Sequence, residues 1–410
     1  MARAPESSVR PAGPLAGIHP NVVALGFTSL LTDVSTEMLI PVLPLFVTAT
    51  LHASVASLGV IEGVAECTAS GLRLGSGWLS DRIGRRKPFL LFGYGLSGAA
   101  KAAMALAASW PAVLLLRFSD RVGKGLRNPP RDALIADSTA DADMGRAFGL
   151  HRGLDTLGAA IGPLLAWALL SRWRALGAGG YRRIFAASAV PAALSLLVLA
   201  AFVRARRHAP APPRALGVQA RRLGAPFWRF VAVDGLFQLG NSSTAFVLLR
   251  SERVGWSAGQ VALLYFGYNL VYALLAWPLG HLSDRIGRRP LLFTGYLLYA
   301  LGYALLALDA TRAGVALAFA LLGVTSALMD GQQKSLIADL VPRDLRASAY
   351  GAYYAVVGAA LLPASVAAGL LWDHAGAAAP FALGAALAAA AGALLWAALP
   401  LRHEHADRHA

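Results

Sequence analysis

Residues that soluble proteins use for surfaces, redox chemistry and cofactor sites are scarce in this sequence. Of its 410 residues 14% are charged, whereas about 25% is usual in a soluble domain. The single cysteine, Cys67, excludes an intramolecular disulfide framework and a cysteine metal cluster. Neither a zinc-ligand spacing nor a Gly-x-x-x-x-Gly-Lys-Ser/Thr loop occurs, so ATP-driven chemistry has no support. We therefore expect no cofactor, no metal and no enzyme activity.

Acidic residues are also few, and the remaining charge is unevenly placed. The chain has 22 acidic and 37 basic residues, which gives a formal net charge of +15. The basic residues concentrate at 82–87, 204–222 and 285–289, between long apolar runs. Loops rich in Lys and Arg mark the cytoplasmic side of membrane proteins, so we interpret the charge as membrane topology and expect no nucleic-acid partner.

Apolar residues, in contrast, are abundant. They make up 57% of the chain, and the mean hydropathy is +0.55, which fits contact with membrane lipid better than a soluble core. The length accommodates twelve helices of about 20 residues with short loops. The apolar runs predict membrane-spanning helices at 21–49, 54–79, 88–108, 111–136, 144–171, 182–203, 226–250, 257–282, 290–308, 312–338, 345–371 and 377–400.

Two segments recur at half the chain length. The segment Gly77–Arg86 returns as Gly280–Arg289, 203 residues later, and Ala133–Asp137 returns as Ser335–Asp339, 202 residues later. Such repeats in a membrane protein indicate two structural halves. Their glycines permit a tight turn, and their aspartates can cap or clamp a neighbouring helix end. The predicted order is a cytoplasmic tail (1–20), a six-helix bundle (21–203), a cytoplasmic linker (204–225), a second six-helix bundle (226–400) and a second tail (401–410).

The first repeated segment resembles the signature loop that follows helices 2 and 8 in the major facilitator superfamily. The resemblance covers roughly residues 20 to 400 and implies an all-α membrane fold, with twelve transmembrane helices in two pseudo-symmetric six-helix bundles. In the family an arginine usually lies five residues before the glycine of the next segment. Met144 occupies that place in the first half and Arg346 in the second, so Arg146 is the expected partner of Asp81. The gating-loop residues implied are Gly77, Asp81, Arg82, Gly84, Arg85, Gly280, Asp284, Arg285, Gly287 and Arg288.

The fifth predicted span carries a second pattern. Gly149, Gly158 and Gly162-Pro163 resemble the antiporter motif of the superfamily, although Ala166 and Trp167 stand where that motif has two further glycines. The resemblance implies the proton-coupled efflux branch of the superfamily. Ordinary close packing of helices through glycine is the alternative interpretation.

Ionisable residues inside spans are costly, so they mark function or internal pairing. Asp33 and Glu37 share one face of the first span, and Glu62 and Glu66 share one face of the second. Counting about 1.5 Å of rise per residue places all four near the middle of the membrane, where carboxylates can hold a proton or attract a cation. Arg117 resembles a buried arginine common in the fourth helix of the family. The proton-coupling candidates are Asp33, Glu37, Glu62, Glu66, Arg117 and Asp234, the last being the repeat counterpart of Asp33.

Other polar residues suit a cavity or a purely structural role. Arg121, Lys124 and Arg131 follow Arg117 on one helical face and either bind substrate or neutralise the carboxylates. His151 is interpreted as a proton shuttle or as a gate or packing residue. Pro129-Pro130 should break or kink the fourth span. The substrate-cavity candidates are Arg121, Lys124, Gln238, Asn241, Tyr265, Asn269, Asp330 and Gln333.

These observations predict a secondary transporter of the inner membrane that works as a monomer with both termini in the cytoplasm. Its expected partners are a small-molecule substrate, protons and membrane lipid. Export of a small organic compound by proton antiport is the first hypothesis, and uptake of an anionic metabolite by proton symport is the second. A non-transporting membrane sensor or a membrane-embedded enzyme is a remote third, because the sequence offers no added catalytic or signalling domain.

Overall fold

The computed structural model describes residues 18–139, 143–173, 178–204, 222–309, 311–342 and 345–398, and within these ranges it contains helices and no strand. Most of the two predicted tails and of the predicted linker therefore lies outside the described residues. We number the helices so that each predicted span has one number, with the seventh in two pieces. They are α1 Pro20–Leu39, α2 Val55–Ile83, α3 Lys87–Ala103, α4 Trp110–Asp137, α5 Met144–Arg172, α6 Ala178–Phe202, α7a Gly224–Gly240, α7b Thr244–Arg253, α8 Ala258–Ile286, α9 Arg288–Leu308, α10 Arg312–Leu340, α11 Arg346–Ala375 and α12 Ala379–Ala398.

Ten spans within the described residues are long and apolar enough to cross a membrane. The two exceptions have separate causes. α4 has charged residues along its length, and the pieces of α7 have only 17 and 10 residues. The first span continues beyond Leu39 through a short helix, Leu43–Leu45, and a π-helical turn, Phe46–Thr50.

The helices form two bundles, as predicted. α1 packs against α5 and α6, α4 packs against α2 and α3, and α3 packs against α6, so these contacts join the first six helices. In the second half α10 packs against α8 and α9, and α12 packs against α7a and α9. Two helix pairs, α2 with α11 and α5 with α8, join the bundles. The all-α fold of two six-helix bundles is thereby confirmed.

The pair α2 and α11 is in close contact from Val55 and Gly369 as far as Ser70 and Gly358, where a Cβ atom on Gly358 would lie 2.7 Å from Ser70 Cβ. We call the end that carries the turns at Gly84 and Gly287 the loop side and the opposite end the far side. Toward the far side a Cβ atom on Gly59 would overlap the Ser365 carbonyl oxygen, and one on Gly63 would lie 3.0 Å from the Leu362 oxygen. Beyond Ser70, toward the loop side, a Cβ atom on Gly75 would have no neighbour within 4 Å. The two helices therefore diverge toward the loop side.

The pair α5 and α8 diverges in the same direction. At the far side a Cβ atom on Gly259 would lie 3.5 Å from the Trp167 ring. On the loop-side half of α5, Gly149 and Gly153 have open space, as does Gly280 on α8. Because both inter-bundle pairs separate toward the same end, the space between the bundles opens to the loop side.

Proline does not break α4: of the predicted break or kink, the break is wrong and the kink stays a prediction. The helix runs through Pro129 and Pro130. Pro129 has no N–H to donate to the carbonyl of Gly125, four residues earlier. The hydroxyl of Ser76, on α2, donates to that carbonyl over 2.8 Å instead. A neighbouring helix thus supplies the bond that the proline removes, as is common in membrane bundles.

One glycine of each signature loop forms the predicted tight turn, whereas Gly77 and Gly280 lie within helices. Gly84 ends α2 with φ of 66°, and Gly287 ends α8 with φ of 87°, both values that favour glycine. Close by, Arg86 pairs with Asp137, and Arg288 Nε lies 2.6 Å from Asp339 Oδ2. Each loop is therefore tied to the aspartate of the second repeated segment in its own half.

The clamp predicted around Asp81 stays a prediction. The side chains of Asp81 and Asp284 lie outside the described residues. Arg146, the expected partner of Asp81, forms an ion pair with Asp143 over 3.2 Å. Arg346 donates to the carbonyl of Ala338 over 3.2 Å.

Candidate substrate and proton site

Glu62 and Arg117 form a buried bidentate pair between α2 and α4. Arg117 Nη2 donates to both Glu62 oxygens over 2.9 and 3.0 Å, and Nε donates to Oε1 over 3.1 Å. The hydroxyl of Ser243, in the break of α7, donates to Glu62 Oε2 over 3.2 Å. Such forked contacts are among the strong hydrogen bonds in proteins. Glu62 is therefore held by a cation of its own bundle and by a hydroxyl of the other bundle.

Glu66 is also paired, but it is more accessible. Its Oε1 lies 2.9 Å from Arg121 Nη2, and its side chain is 37% exposed whereas that of Arg121 is 5% exposed. The second acidic pair predicted from the sequence, Glu62 and Glu66, thus has one arginine for each carboxylate.

Asp33 and Glu37 have different surroundings. Both are half-buried on α1, and no cation of the described residues lies within 4.0 Å of either carboxylate. Glu37 Oε2 accepts a hydrogen bond of 2.8 Å from the hydroxyl of Tyr265 on α8. The first acidic pair therefore has no direct counter-ion, and one of its members contacts the opposite bundle.

The glycines of the antiporter-like pattern lie behind these two carboxylates. A Cβ atom on Gly158 would lie 2.5 Å from the Leu30 oxygen and 3.0 Å from Asp33 Cβ. A Cβ atom on Gly162 would lie 2.5 Å from Glu37 Cβ. Close packing through glycine is thus observed at these two positions, and it sets the distance between α5 and the acidic face of α1.

A buried chain of charges extends the Glu62 pair through α4 and α3 to α1. Arg117 Nη1 lies 3.5 Å from Asp120 Oδ2, and Ser97 donates to the other Asp120 oxygen over 2.5 Å. Lys101 Nζ lies 3.9 Å from Asp120 Oδ1 and donates to Thr36 Oγ1 over 2.6 Å. The sequence prediction omitted Lys101 and Asp120, although the cost of an ionisable residue inside a span would have marked both.

The other cations of α4 differ in their contacts, although the sequence places several of them on one face. Lys124 is half-buried, with no carboxylate of the described residues within 4.0 Å. Arg127 is buried with its guanidinium 4.3 Å from the centre of the Tyr94 ring. Arg131 contacts Asp132 over 2.9 Å and donates to Ser29 over 3.0 Å. Of these three, Lys124 is the one without a described partner.

In the second bundle Asp234 is fully buried and accepts four hydrogen bonds. The donors are the hydroxyl of Tyr296 (2.6 Å), the amide of Gln333 (2.7 Å), the hydroxyl of Tyr353 (3.0 Å) and the amide of Gln238 (3.2 Å). Two substrate-cavity candidates, Gln238 and Gln333, thus use their amides on Asp234. Among the described residues all four donors to this carboxylate are neutral, and no cation lies within 4.0 Å of it.

The break in α7 leads from this cluster toward the first bundle. Asn241, the residue after α7a, donates to Gln238 Oε1 over 2.9 Å and accepts from the Tyr299 hydroxyl over 3.1 Å. Ser243, two residues further, both caps α7b and contacts Glu62. Asn241 is therefore placed at a junction between the bundles.

Asp330 lies toward the loop side, where the bundles separate. It accepts from the Tyr272 hydroxyl over 2.9 Å, from Lys334 over 3.0 Å and from Arg152 of the first bundle over 3.4 Å. These residues line a cavity of about 510 Å³ between α5, α8 and α10. Deeper on α5, the His151 ring lies 3.5 Å from Asp155 and is buried.

One face of α8 presents a row of tyrosines to these sites. Tyr265 and Tyr268 stack with ring centres 5.8 Å apart, and Tyr272 follows one turn later. Asn269 on the same helix donates to the carbonyl of Ala159 on α5 over 3.3 Å. The opening between the bundles thus has a charged side, formed by α1, α2 and α4, and an aromatic polar side, formed by α8.

Comparison with known proteins agrees with this architecture. The sequence profile of the Major Facilitator Superfamily matches residues 25–249 and 231–410. An uncharacterised MFS-type transporter of Methanocaldococcus jannaschii is 34% identical over 361 residues, which are 87% of this chain and 89% of that protein. The multidrug resistance protein MdtH of Aeromonas hydrophila is 26% identical over 359 residues, 86% of this chain and 87% of that protein. Among solved structures, a POT family transporter in complex with 5-aminolevulinic acid superposes with a TM-score of 0.77 at 14% identity, covering 92% of this chain and 96% of that one.

The chain belongs to the Major Facilitator Superfamily. It is a multi-pass membrane transporter, and its substrate is a small molecule, as in that family. The solved relatives are below 25% identity and establish the fold alone.

Proposed function

We propose that this protein exports a small organic compound across the cytoplasmic membrane in exchange for protons. One observation supports the proposal: among the described residues no cation lies within 4.0 Å of the Asp33 or Glu37 carboxylate, whereas Glu62 and Glu66 each have an arginine within that distance. A carboxylate without a cation in surroundings of low dielectric is the kind of group that binds and releases a proton. Asp33 and Glu37 are thus the exchanging pair, and Glu62 and Glu66 keep fixed partners.

Competition between the proton and the compound drives the exchange. When the loop side is open, a cationic or hydrogen-bonding group of the compound binds the ionised pair in place of protons. When the far side is open, protons return to the pair and release the compound. The hydroxyl of Tyr265, in the second bundle, donates to Glu37, and this contact depends on the protonation state of the pair. Each cycle moves protons into the cell and the compound out of it, and no covalent bond is broken.

Orientation follows from the basic loops. The arginines beside Gly84 and Gly287 support the assignment of the loop side to the cytoplasm, and the proposal accordingly puts both termini there. A test uses single introduced cysteines in a Cys67→Ser background. Ala108, exposed in the turn before α4, should react with an impermeant thiol reagent on intact cells, whereas Ala215 should not. The opposite pattern would reverse the orientation.

The similarity to a multidrug resistance protein supports export, as does the packing of the antiporter-like glycines against the exchanging pair. The second candidate is uptake of an anionic metabolite with protons. Lys124 favours it, because this half-buried ammonium has no described carboxylate within 4.0 Å and could bind an anion. The two candidates predict opposite responses to a pH gradient.

The deciding experiment uses proteoliposomes loaded at one pH and diluted into another. Ethidium and tetraphenylphosphonium serve as cationic probes, lactate and succinate as anionic ones, and thermal stabilisation selects the probe to be followed. Antiport accumulates the probe when the lumen is acidic, and symport accumulates it when the medium is acidic. Downhill movement with the same rate at every gradient would contradict proton coupling in either direction.

A further inference from the structure

A carboxylate of the second bundle caps a helix of the first at the far side. Asp373, near the end of α11, accepts hydrogen bonds from the backbone N–H groups of Val55 (3.2 Å) and Ala56 (2.8 Å). These are the first two residues of α2. The contact therefore crosses between the bundles, 318 residues apart in sequence for Val55.

The position matters because the first N–H groups of a helix have no acceptor within the helix and carry partial positive charge. Ser54, the N-cap residue of α2, uses its hydroxyl to accept from Ser57 over 3.1 Å. Asp373 accepts from the two residues between them. Thus the cap of α2 is completed by a residue of the opposite bundle, and its charge complements the helix dipole.

The two helices also approach each other closely in this region. A Cβ atom on Gly369, one turn before Asp373, would lie 2.7 Å from the Val55 oxygen and from Ala56 Cα. Gly59 makes a similar approach to Ser365 one turn deeper. Small residues bring the backbones together, so the Asp373 carboxylate reaches N–H groups that a wider crossing would place out of range.

We propose that Asp373 is the residue that holds the far side closed. Opening the far side separates the α2 and α11 ends, and the two N–H groups then lose their acceptor while the carboxylate returns to water. The bond is therefore made in the loop-side-open state and absent in the far-side-open state. A contact that is present in one state and absent in the other stabilises the first, so its removal raises the far-side-open population.

Distance measurements between spin labels test the proposal without substrate or pH gradient, so its result is independent of proton coupling. Labels on Ala108→Cys and Ala378→Cys, both exposed turns at the far side, report the separation of the bundles in a Cys67→Ser background. In lipid nanodiscs, Asp373→Ala should raise the ratio of far-side-open to far-side-closed molecules by about fivefold, as expected for a charge at a helix N-terminus. Asp373→Asn should give a smaller rise, since one amide oxygen can still accept.

Asp309 supplies a matched control. It lies in the far-side turn between α9 and α10 and accepts from Thr311 N over 2.8 Å, but both partners belong to one bundle. Asp309→Ala removes a carboxylate that accepts from a backbone N–H at the same side without touching the interface, so its distance distribution should match the parent. Distances in Asp373→Ala that equal those of the parent, or an equal shift in Asp309→Ala, would overturn the proposal. Asp373→Asn keeps the shape of the side chain at this exposed position, so it tests the proposal even where Asp373→Ala impairs folding.

Discussion

Asn269 donates its side-chain amide to the one carbonyl that Pro163 leaves without a helical donor. Pro163 has no N–H for the oxygen of Ala159, four residues earlier in α5, and Asn269 Nδ2 on α8 lies 3.3 Å from that oxygen. The contact joins the antiporter-like segment of one bundle to the other bundle. A residue selected from the sequence as a substrate contact thus has a backbone partner.

This relationship predicts a specific double-mutant result. Asn269→Ala should destabilise the protein by about 1 kcal/mol, because a half-buried carbonyl loses its donor. Pro163→Ala restores the helical N–H, so Asn269→Ala in that background should cost much less. Thermal unfolding of the four proteins in detergent measures the coupling. Equal costs in the two backgrounds would show that Asn269 acts elsewhere.

The buried charge chain predicts a second set of stabilities. Lys101→Met leaves Asp120 with Arg117 as its remaining cation, and a buried ion pair broken from one side typically costs about 3–5 kcal/mol. Asp120→Asn should be similarly costly, because buried Lys101 loses its carboxylate and Arg117 keeps only Glu62. The double variant Lys101→Met/Asp120→Asn should cost less than the two singles together. Strict additivity in chemical unfolding would argue against a connected network.

Neutral variants of the exchanging pair should separate coupling from folding. Asp33→Asn or Glu37→Gln removes a proton site that has no counter-ion, so stability should change little. Uphill, pH-driven transport should be lost in at least one variant while downhill exchange persists. Glu62→Gln is the contrasting variant, since it leaves buried Arg117 with only Asp120 and should lower stability by several kcal/mol. Full pH-driven accumulation in both pair variants would move the coupling site to Glu66 or Asp234.

The glycines of α5 offer a matched comparison. Gly158→Ala and Gly162→Ala each place a methyl group 2.5 Å from α1, against backbone or Cβ atoms that cannot rotate away. Both should widen the α1–α5 contact and reduce transport and thermal stability. Gly149→Ala has no neighbour within 4 Å and should be tolerated or slightly stabilising. Comparable losses in all three would mean that helix flexibility, and not close approach, is the requirement.

The fold could be predicted from the sequence because the apolar runs and the repeated segments indicate the same arrangement. Apolar runs located the spans, and the repeats at Gly77 and Gly280 divided them into halves. The rule that intramembrane charge is costly also found Glu62, Glu66, Arg117 and Arg121 as a group. Helical spacing gives the face of a residue but not the helix opposite it. The separate pairs Glu62–Arg117 and Glu66–Arg121 therefore emerged only from the packing of α2 on α4.

Hydrogen bonds from a side chain of one helix to a backbone carbonyl of another could not be predicted from the sequence. The break expected at Pro129 fails because Ser76, 53 residues earlier, serves the freed carbonyl. The role of Asn269 likewise depends on a proline in the other bundle. Local propensity describes what a residue does to its own helix, whereas these outcomes depend on which side chain a neighbouring helix brings within reach.

The low hydropathy of α4 has a consequence for how the chain is made. Arg117, Asp120, Arg121 and Lys124, at roughly 3 kcal/mol each, oppose entry of an isolated helix into the bilayer by about 12 kcal/mol. The ribosome delivers α2 and α3 first, and these carry Glu62, Glu66 and Lys101. The fourth segment can therefore enter the bilayer from the translocon only by packing against α2 and α3, which are inserted before it. In this half of the protein, the order in which the helices are synthesised is therefore also the order in which their charges are neutralised.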